Sequence, residues 1–322
     1  MKHKILIVSG DPNSINSEII YKTFKNLNAD TKRRIYIVSN FNLLNKQFKK
    51  LKLKINLTKV NNLNDSRLSK KLKIINIPLT FQDPFRVPVQ NASKFVIECL
   101  SLAHSLAIKN KLKGIINCPI DKILIKKTKK NGVTEFFASK CNVKKNSEVM
   151  MIYNEKLSVV PITTHIKIKN ISKQINYNLI KEKMLTLNKY FKKLFNKKPK
   201  IAMLGLNPHN AELSKNSEEA LKITPSISKL KKGGLNITGP LVADTMFIEK
   251  YKKFNVIVGM YHDQVLAPFK SLFHFNAINI TLGLNYIRVS PDHGPGKDII
   301  GKKKANSLSL IKCVKFISNL KK

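Results

Sequence analysis

The chain has 322 residues, of which 43% are apolar and 25% charged, so it can bury a core and is too apolar for the disordered class. No run approaches the roughly 20 apolar residues of a membrane span, and the start lacks the apolar stretch of a signal peptide. We therefore expect a cytoplasmic protein without a membrane segment. The formal charge of +41 should attract anionic, phosphorylated substrates.

The positive charge is spread along the whole chain and is almost entirely lysine, since only five basic residues are arginine. Nucleic-acid recognition favours arginine and clustered basic arms, so we expect no nucleic-acid partner. A basic nucleic-acid-binding protein with a degenerate enzyme core stays as an alternative. The four cysteines stand far apart, which predicts reduced, mostly buried thiols. They are Cys99, Cys118, Cys141 and Cys313.

Hydrophobic periodicity predicts strands that alternate with helices. The apolar run 4–8 ends in a Ser-Gly-Asp-Pro turn and precedes a helical pattern over 15–27. A proline-rich loop over 80–90 leads to a helix over 91–108, with Asn91 or Ser93 as its N-cap. Further strands are predicted at 34–38, 74–77, 114–117, 149–153, 158–162, 200–204, 254–258 and 277–281, and further helices at 176–196, about 217–231, and 303–319.

This alternation indicates an α/β architecture with a largely parallel sheet. No Gly-x-Gly-x-x-Gly follows the first strand, and no Gly-x-x-x-x-Gly-Lys-Ser/Thr occurs anywhere. A nucleotide cofactor is therefore not held by either fingerprint, and its binding residues are left unassigned.

Three of the seven histidines, His165, His209 and His262, stand in loops just after predicted strands. Ligands bind at the carboxyl ends of strands in open α/β sheets. Three neutral imidazoles converging there would bind a borderline divalent cation and leave positions open for substrate. The alternative is that each is an ordinary surface or capping histidine.

Two carboxylates near these histidines are candidates for further roles. Asp263, next to His262, is a candidate partner of that ring or an extra ligand. Asp244 follows a Gly-Pro turn and is either a site carboxylate or a helix N-cap.

Two segments indicate anion binding. Arg288 closes an apolar strand and is either a bidentate anion contact or a salt-bridge partner. Thr134 precedes an apolar helix, where it either caps the helix or belongs to an anion site at the helix start.

Taken in order, these segments resemble the 4-hydroxythreonine-4-phosphate dehydrogenase family of pyridoxal phosphate biosynthesis. The resemblance runs nearly end to end, and the joint order and spacing of its segments are very specific. The segments are 9–12, 118–122, 132–136, 163–165, 205–209, 239–247, 261–270, 279–283 and 288–294.

The resemblance implies two α/β/α domains around a cleft, related to the isocitrate and isopropylmalate dehydrogenases and not to Rossmann enzymes. We place the first domain at 1–125 and 285–322. The second, at 126–284, would carry the metal histidines and most of the dimer interface. The resemblance also implies a homodimer whose active site is shared between subunits.

The resemblance assigns roles to individual residues. One zinc, magnesium or cobalt ion per site would be held by His165, His209 and His262. The substrate would be bound by Thr134, Lys270, Asn279 and Arg288. The candidates for the catalytic base are Lys270, Asp244 and Asp263, among which the sequence does not choose.

The implied reaction is oxidation of the C3 alcohol of 4-phosphooxy-L-threonine by NAD⁺ or NADP⁺, with the metal lowering the pKa of that alcohol. The product, 2-amino-3-oxo-4-phosphooxybutanoate, is a β-keto acid that loses CO₂ to give 3-amino-2-oxopropyl phosphate. Val133 stands where the family has a substrate-contacting histidine. A dehydrogenase for a related acid, threonate or erythronate 4-phosphate, is therefore the alternative.

Overall fold

The computed structural model describes residues 4–64, 71–110, 112, 114–130, 132–144 and 146–320. The chain forms two compact units, a first unit of 1–141 and 285–322 and a second unit of 142–284. The first crossing between units thus follows residue 141, whereas we predicted it after 125. In the described ranges, no helix combines the length and the apolar character needed to cross a bilayer.

The first segment of the first unit alternates strands and helices. Its strands are β1 (Ile5–Val8), β2 (Ile35–Ser39), β3 (Leu57–Lys59), β4 (Leu72–Asn76) and β5 (Gly114–Asn117). Its helices are α1 (Asn16–Lys25), α2 (Ala29–Arg34), α3 (Phe41–Lys50), α4 (Val89–Lys109) and α5 (Val133–Lys140), with a 3₁₀ helix at Lys122–Thr128.

The second unit follows, and the chain then returns to the first. The second unit contains strands β6 (Val149–Tyr153), β7 (Ser158–Pro161), β8 (Ile201–Leu204), β9 (Ile237–Leu241), β10 (Val256–Gly259) and β11 (Ile278–Leu282). Its helices are α6 (Ile171–Gln174), α7 (Tyr177–Phe195), α8 (Thr224–Lys232), α9 (Ala243–Met246) and α10 (His262–Phe273), with 3₁₀ or π segments at Ile168–Asn170, Pro208–Leu213, Glu219–Ile223 and Lys250–Lys253. The return segment comprises β12 (Ile287–Pro291), a 3₁₀ helix at Lys297–Ile299 and α11 (Leu308–Asn319).

The sheet of the first unit has the strand order β3-β4-β2-β1-β5-β12, and all its pairs are parallel. β1 and β5 are buried along their whole length, as central parallel strands covered on both faces must be. From β1 the chain moves outward through β2, and later it returns to β5 on the other side of β1. Ligands of open α/β sheets bind at such a switch of direction.

The sheet of the second unit has the order β11-β6-β7-β10-β8-β9. The four strands β7, β10, β8 and β9 run parallel, whereas β6 is antiparallel to both of its neighbours. Apolar side chains of β6, β7, β8 and β10 form one core with those of α9 and α10. This packing holds the start of α10 at the edge of the sheet where the parallel strands end.

The predicted α/β class with largely parallel sheets is confirmed, and the strands at 114–117 and 149–153 match to the residue. The predicted N-cap of the helix at 91–108 is wrong. That helix is α4, which begins at Val89 with Pro88 as its N-cap, while the hydroxyl of Ser93 donates to the carbonyl of Leu124 at 2.6 Å. The cysteine prediction is confirmed, because all four are free and three are buried.

Candidate functional site

The second unit places the three histidines at the carboxyl ends of three neighbouring parallel strands. β7, β10 and β8 are adjacent in the sheet. His165 follows β7, His262 begins α10 directly after β10, and His209 follows β8. Neighbouring strands lie about 4.8 Å apart, so the three turns lie side by side.

Two of the three histidines lie close together, and the third lies beside a carboxylate. The ring centroids of His165 and His262 are 5.6 Å apart. Nε2 of His209 lies 3.6 Å from Oδ2 of Asp244, which follows β9, the next strand of the sheet. Nδ1 of His262 lies 2.6 Å from Oδ1 of Asp263. Over the part of the chain that the structure describes, no three His, Cys, Asp or Glu side chains are grouped closely enough to hold a metal ion.

Hydrogen bonds link the turns to one another in the order of the strands. The hydroxyl of Thr163, after β7, donates to the carbonyl of Met260 at 2.7 Å. Gln264 accepts from the N–H of Met260 and donates through Nε2 to the carbonyl of Gly205, after β8, both at 2.7 Å. The N–H of Gly205 in turn donates to the carbonyl of Leu241 at 3.0 Å. The relative positions of the strand ends are therefore set by polar contacts between the turns.

The turn that carries His209 has an unusual backbone. Residues 209–212 all have positive φ, between 47° and 57°. A non-glycine residue in this left-handed region costs roughly 1–2 kcal/mol, so four in a row need support from their surroundings. Asn210 supplies part of it by donating to the carbonyl of Pro240 at 3.1 Å.

Glu219 holds the backbone just before this turn, and the sequence analysis missed it. The side chain is 4% exposed, and its carboxylate accepts from the N–H groups of Leu206 at 2.7 Å and Asn207 at 2.8 Å and from Nδ2 of Asn207 at 2.9 Å. Burial raises the pKa of Glu219, but the hydrogen bonds from Asn207 outweigh it and hold the pKa below its ordinary value. No motif in the sequence connects this glutamate with a turn twelve residues earlier.

The remaining candidates of the second unit lie on α9, α10 and β11. Asp244 is the second residue of α9, whose N-cap is Val242, so the N-cap alternative for Asp244 is wrong. Lys270 is half-buried on α10, seven residues after Asp263 and therefore on the same helix face. Asn279 lies on β11, and its buried Oδ1 has no hydrogen-bond partner among the described residues.

The first unit brings together two predicted substrate-binding residues, Arg288 and Thr134. Arg288 is 3% exposed on β12, where Nε donates to Oδ1 of Asn117 at 2.5 Å and Nη1 donates to the hydroxyl of Thr134 at 3.3 Å. Burial lowers the pKa of Arg288 to about 10, so the guanidinium remains cationic at neutral pH. Asn117, the last residue of β5, was missed, although a polar residue that closes an apolar run is the signal that points to it.

Thr134 is not the cap of its helix. The N-cap of α5 is Gly132, and Val133 and Thr134 are the first two helical residues. The capping alternative for Thr134 is therefore wrong, because its hydroxyl accepts from Arg288.

The turns after β1, β5 and β12 meet at the switch point of the first unit. Asp11 is 3% exposed, accepts from the N–H of Asn13 at 2.8 Å and donates its own N–H to Pro119 at 3.1 Å. Burial raises the pKa of Asp11 to about 6. Beside it, Asp121 forms an ion pair with Lys297.

Comparison with known proteins places the chain in a family. Residues 30–317 match the family described as Pyridoxal phosphate biosynthetic protein PdxA. The 4-hydroxythreonine-4-phosphate dehydrogenase of Aquifex aeolicus is 35% identical over 323 residues, which cover 99% of both chains. The chain belongs to the PdxA family. The resemblance found in the sequence is thereby confirmed.

Two further PdxA-family comparisons bear on fold and substrate. The crystal structure of 4-hydroxythreonine-4-phosphate dehydrogenase from Klebsiella pneumoniae superposes with a TM-score of 0.84, at 27% identity over 98% of both chains. A relative from Oceanobacillus iheyensis, provisionally named a D-threonate 4-phosphate dehydrogenase, is 31% identical over 96% of this chain and 95% of its own. The fold is thus that of the family, while the substrates named for its relatives differ.

Proposed function

We propose that this chain is a metal-dependent 4-hydroxythreonine-4-phosphate dehydrogenase that uses NAD⁺ or NADP⁺. The observation that carries the proposal is the row of imidazoles at the carboxyl ends of β7, β10 and β8 in a member of the PdxA family. Zinc, cobalt and magnesium are the candidate cations, and nitrogen ligands suit zinc better than magnesium.

The histidines fit such a cation. Two imidazoles that share one zinc ion through bonds of about 2 Å have ring centroids about 5 Å apart, close to the 5.6 Å between His165 and His262. His209 would be the third ligand. Its side chain and that of Asp244 are 66% and 60% exposed, so a second copy of the chain can reach them. We therefore propose a homodimer in which the site is completed between subunits.

Apolar side chains exposed on the second unit support this assembly. Ile168, Leu221 and Ile248 are 81%, 62% and 69% exposed. Covering them with a second copy removes apolar surface from water, which favours association.

When bound, the cation supplies a Lewis acid and the nicotinamide cofactor supplies a hydride acceptor. The chain itself binds and orients the substrate. Arg288 and Thr134 are assigned to the phosphate or carboxylate, and a buried guanidinium suits either anion. Lys270 adds a second cation, and Oδ1 of Asn279 is a buried acceptor for a substrate donor.

Oxidation also removes the proton of the C3 hydroxyl, and one of Lys270, Asp244 and Asp263 takes it up. The two carboxylates lie against the rings of His209 and His262, and such contacts fix the orientation of ligand imidazoles. The oxidised product, 2-amino-3-oxo-4-phosphooxybutanoate, is a β-keto acid whose loss of CO₂ leaves 3-amino-2-oxopropyl phosphate.

The second candidate is a dehydrogenase for threonate or erythronate 4-phosphate. Val133 favours it, because this side chain offers no hydrogen bond and adjoins Thr134, which contacts Arg288. The relative from Oceanobacillus iheyensis carries a name of this kind.

A turnover assay separates the two candidates. Purified protein is supplied with Zn²⁺, Co²⁺ or Mg²⁺ and with NAD⁺ or NADP⁺, and reduced cofactor is followed with 4-phosphooxy-L-threonine, D-threonate 4-phosphate or erythronate 4-phosphate. We expect kcat/KM to be at least about tenfold higher for 4-phosphooxy-L-threonine than for the two other acids. Buried polar groups that bind its amino group would lack at least one hydrogen bond with either of the others. The reverse order supports the second candidate, and no turnover of any of the three contradicts both.

A further inference from the structure

We propose that Glu219 is a positioning residue for His209, acting through the turn at 205–207. The inference rests on the proposed function, in which His209 is a metal ligand. Glu219 does not touch the imidazole. It lies in the π-helical segment Glu219–Ile223, and such segments are uncommon and frequent at functional sites.

The geometry of the carboxylate carries the proposal. Oε1 accepts from two consecutive main-chain N–H groups, those of Leu206 and Asn207, and Oε2 accepts from Nδ2 of Asn207. Two of these bonds hold the main chain of the residues that directly precede Pro208 and His209, and the third holds the side chain of Asn207. His209 lies two residues after Asn207, at the start of the positive-φ run 209–212. A shift of the main chain at Asn207 therefore changes the direction in which the imidazole points.

The contacts around the turn leave little room for another arrangement. A Cβ atom at Gly205 would lie 2.1 Å from Oδ1 of Asn210 and 3.0 Å from Oε1 of Glu219. The carbonyl of Gly205 accepts from Gln264, which belongs to the helix that begins at His262. Glu219 therefore fixes the His209 turn next to Gly205, which is also hydrogen-bonded to the helix that begins at His262.

A second pair of contacts anchors Glu219 itself. Its neighbour Glu218 accepts from Nδ2 of Asn207 at 2.9 Å and from the hydroxyl of Ser172. The Ser172 and Asn207 bonds hold the pKa of Glu218 below its ordinary value. Asn207 thus donates to two adjacent carboxylates, and Glu219, being buried, is the one that water cannot replace.

The test is the affinity for Co²⁺, read from the visible absorption of the purified full-length protein without substrate or cofactor. The variant Glu219→Gln keeps the size of the side chain but replaces one accepting oxygen with a donor. We expect Co²⁺ to bind about tenfold more weakly or worse, the range found for residues that orient metal ligands. The matched control Glu155→Gln removes an exposed carboxylate of the same unit, in the turn between β6 and β7, and should leave the affinity unchanged.

The rescue of activity by excess Co²⁺ is a second measurement, and it distinguishes a positioning role from a purely structural one. Excess Co²⁺ should restore turnover to Glu219→Gln, because all three imidazoles remain, and should not restore it to His209→Ala. Equal Co²⁺ affinity in folded Glu219→Gln and the natural chain overturns the role of Glu219 alone. A natural chain that shows no saturable Co²⁺ spectrum contradicts the metal site of the proposed function instead.

If Glu219→Gln does not fold, Asn207→Ala replaces it. This variant keeps both main-chain bonds to Oε1 and loses only the Nδ2 donor, which Glu218 and Glu219 share, so we expect a smaller loss of affinity, about threefold. Unchanged Co²⁺ affinity in Asn207→Ala would then overturn the proposal.

Discussion

The two units present their candidate functional side chains in opposite ways. In the first unit Arg288 is 3% exposed and its guanidinium is already bonded to Asn117 and Thr134. In the second unit His209 is 66% exposed and has one carboxylate neighbour, Asp244. Arg288 is held between two strands and a helix, whereas His209 stands on a turn at the carboxyl ends of the strands.

The difference shows which groups the polar contacts of each unit hold in place. A guanidinium buried among fixed partners is oriented before any anion arrives, which is how electrostatic preorganisation works. An exposed imidazole cannot be oriented by burial, so in the second unit the buried Glu219 and the half-buried Gln264 hold the backbone that carries the ring. Preorganisation thus lies in the side chain in one unit and in the main chain in the other.

The largest expected effect comes from removing His209, the exposed residue that we propose as a metal ligand. His209→Ala should lower kcat/KM by about a thousandfold or more, since a bound cation contributes several kcal/mol of charge stabilisation and 1.36 kcal/mol is a factor of ten. Its free energy of unfolding should hardly change, because the side chain buries little surface. Steady-state kinetics with saturating metal and urea unfolding measure the two quantities.

His274→Ala is the control for this variant, since His274 is an exposed histidine of the same unit at the end of α10. It should leave both quantities unaltered. Retention of full activity by His209→Ala would remove the contrast between the two units.

The next-largest effect comes from changing the buried guanidinium of Arg288. Arg288→Lys keeps the charge and loses the planar fork, so it cannot donate to Asn117 and Thr134 together. We expect kcat/KM to fall by two to three orders of magnitude, because the proposed pair of Arg288 and the substrate anion is weakened. Truncating one partner of such a buried, hydrogen-bonded charge pair costs roughly 2–5 kcal/mol. Unlike His209→Ala, this variant should also unfold at lower urea concentration.

Arg86→Lys, at an exposed arginine of the same unit, is the matched control and should behave like the natural chain. Normal kinetics in Arg288→Lys would show that the guanidinium is a structural residue of β12 and that the anion binds elsewhere.

The contrast between the units also explains what could be predicted from sequence. Short apolar runs such as 114–117 and 149–153 define buried strands without help from the rest of the chain, and the histidines were found because they follow such runs directly. Helix α3 was not predicted, although Asn40 caps it by accepting at Oδ1 from the N–H of Leu43 and apolar residues follow at helical spacing.

Contacts between distant segments leave no local signal that shows which residues will be partners. Glu219 and Asn117 act through hydrogen bonds to residues whose proximity depends on the folded sheet, and Glu219 resembles any other surface glutamate in the sequence. The caps proposed for α4 and α5 failed for a related reason. Ser93 and Thr134 find partners in other elements, Leu124 and Arg288, and tertiary hydrogen bonds override the local preference for capping.

A smaller effect concerns the pH dependence of the first unit. Burial raises the pKa of Asp11 from its ordinary 3.8 to about 6, so the folded chain binds this proton more tightly than the unfolded chain does. Stability should therefore fall by up to about 3 kcal/mol as the pH rises from 4 to 6 and stay low above that. Asp11→Asn removes the ionisable group and should flatten this part of the profile, making the variant the more stable protein at pH 8.

Urea unfolding at pH 4.5 and pH 8 measures this difference. The control Asp298→Asn changes an exposed aspartate of the neighbouring 3₁₀ helix and should retain the natural slope. An unchanged slope in Asp11→Asn contradicts the assignment of the titration to Asp11.

The smallest effect tests how closely the strand-end turns are packed, with one glycine from each unit. Gly10 and Gly234 both have positive φ, 75° and 86°, so alanine is strained at either position. A Cβ at Gly10 would also lie 2.6 Å from the carbonyl oxygen of Pro119, whereas nothing lies within 4 Å at Gly234. We expect Gly234→Ala to cost roughly 1 kcal/mol from φ alone and Gly10→Ala about 1 kcal/mol more, because the backbone of the adjacent turn must move. Equal decreases in the free energy of unfolding for the two variants would mean that the turns around Asp11 move at little cost. The strands alone would then fix the positions of the buried groups in the first unit.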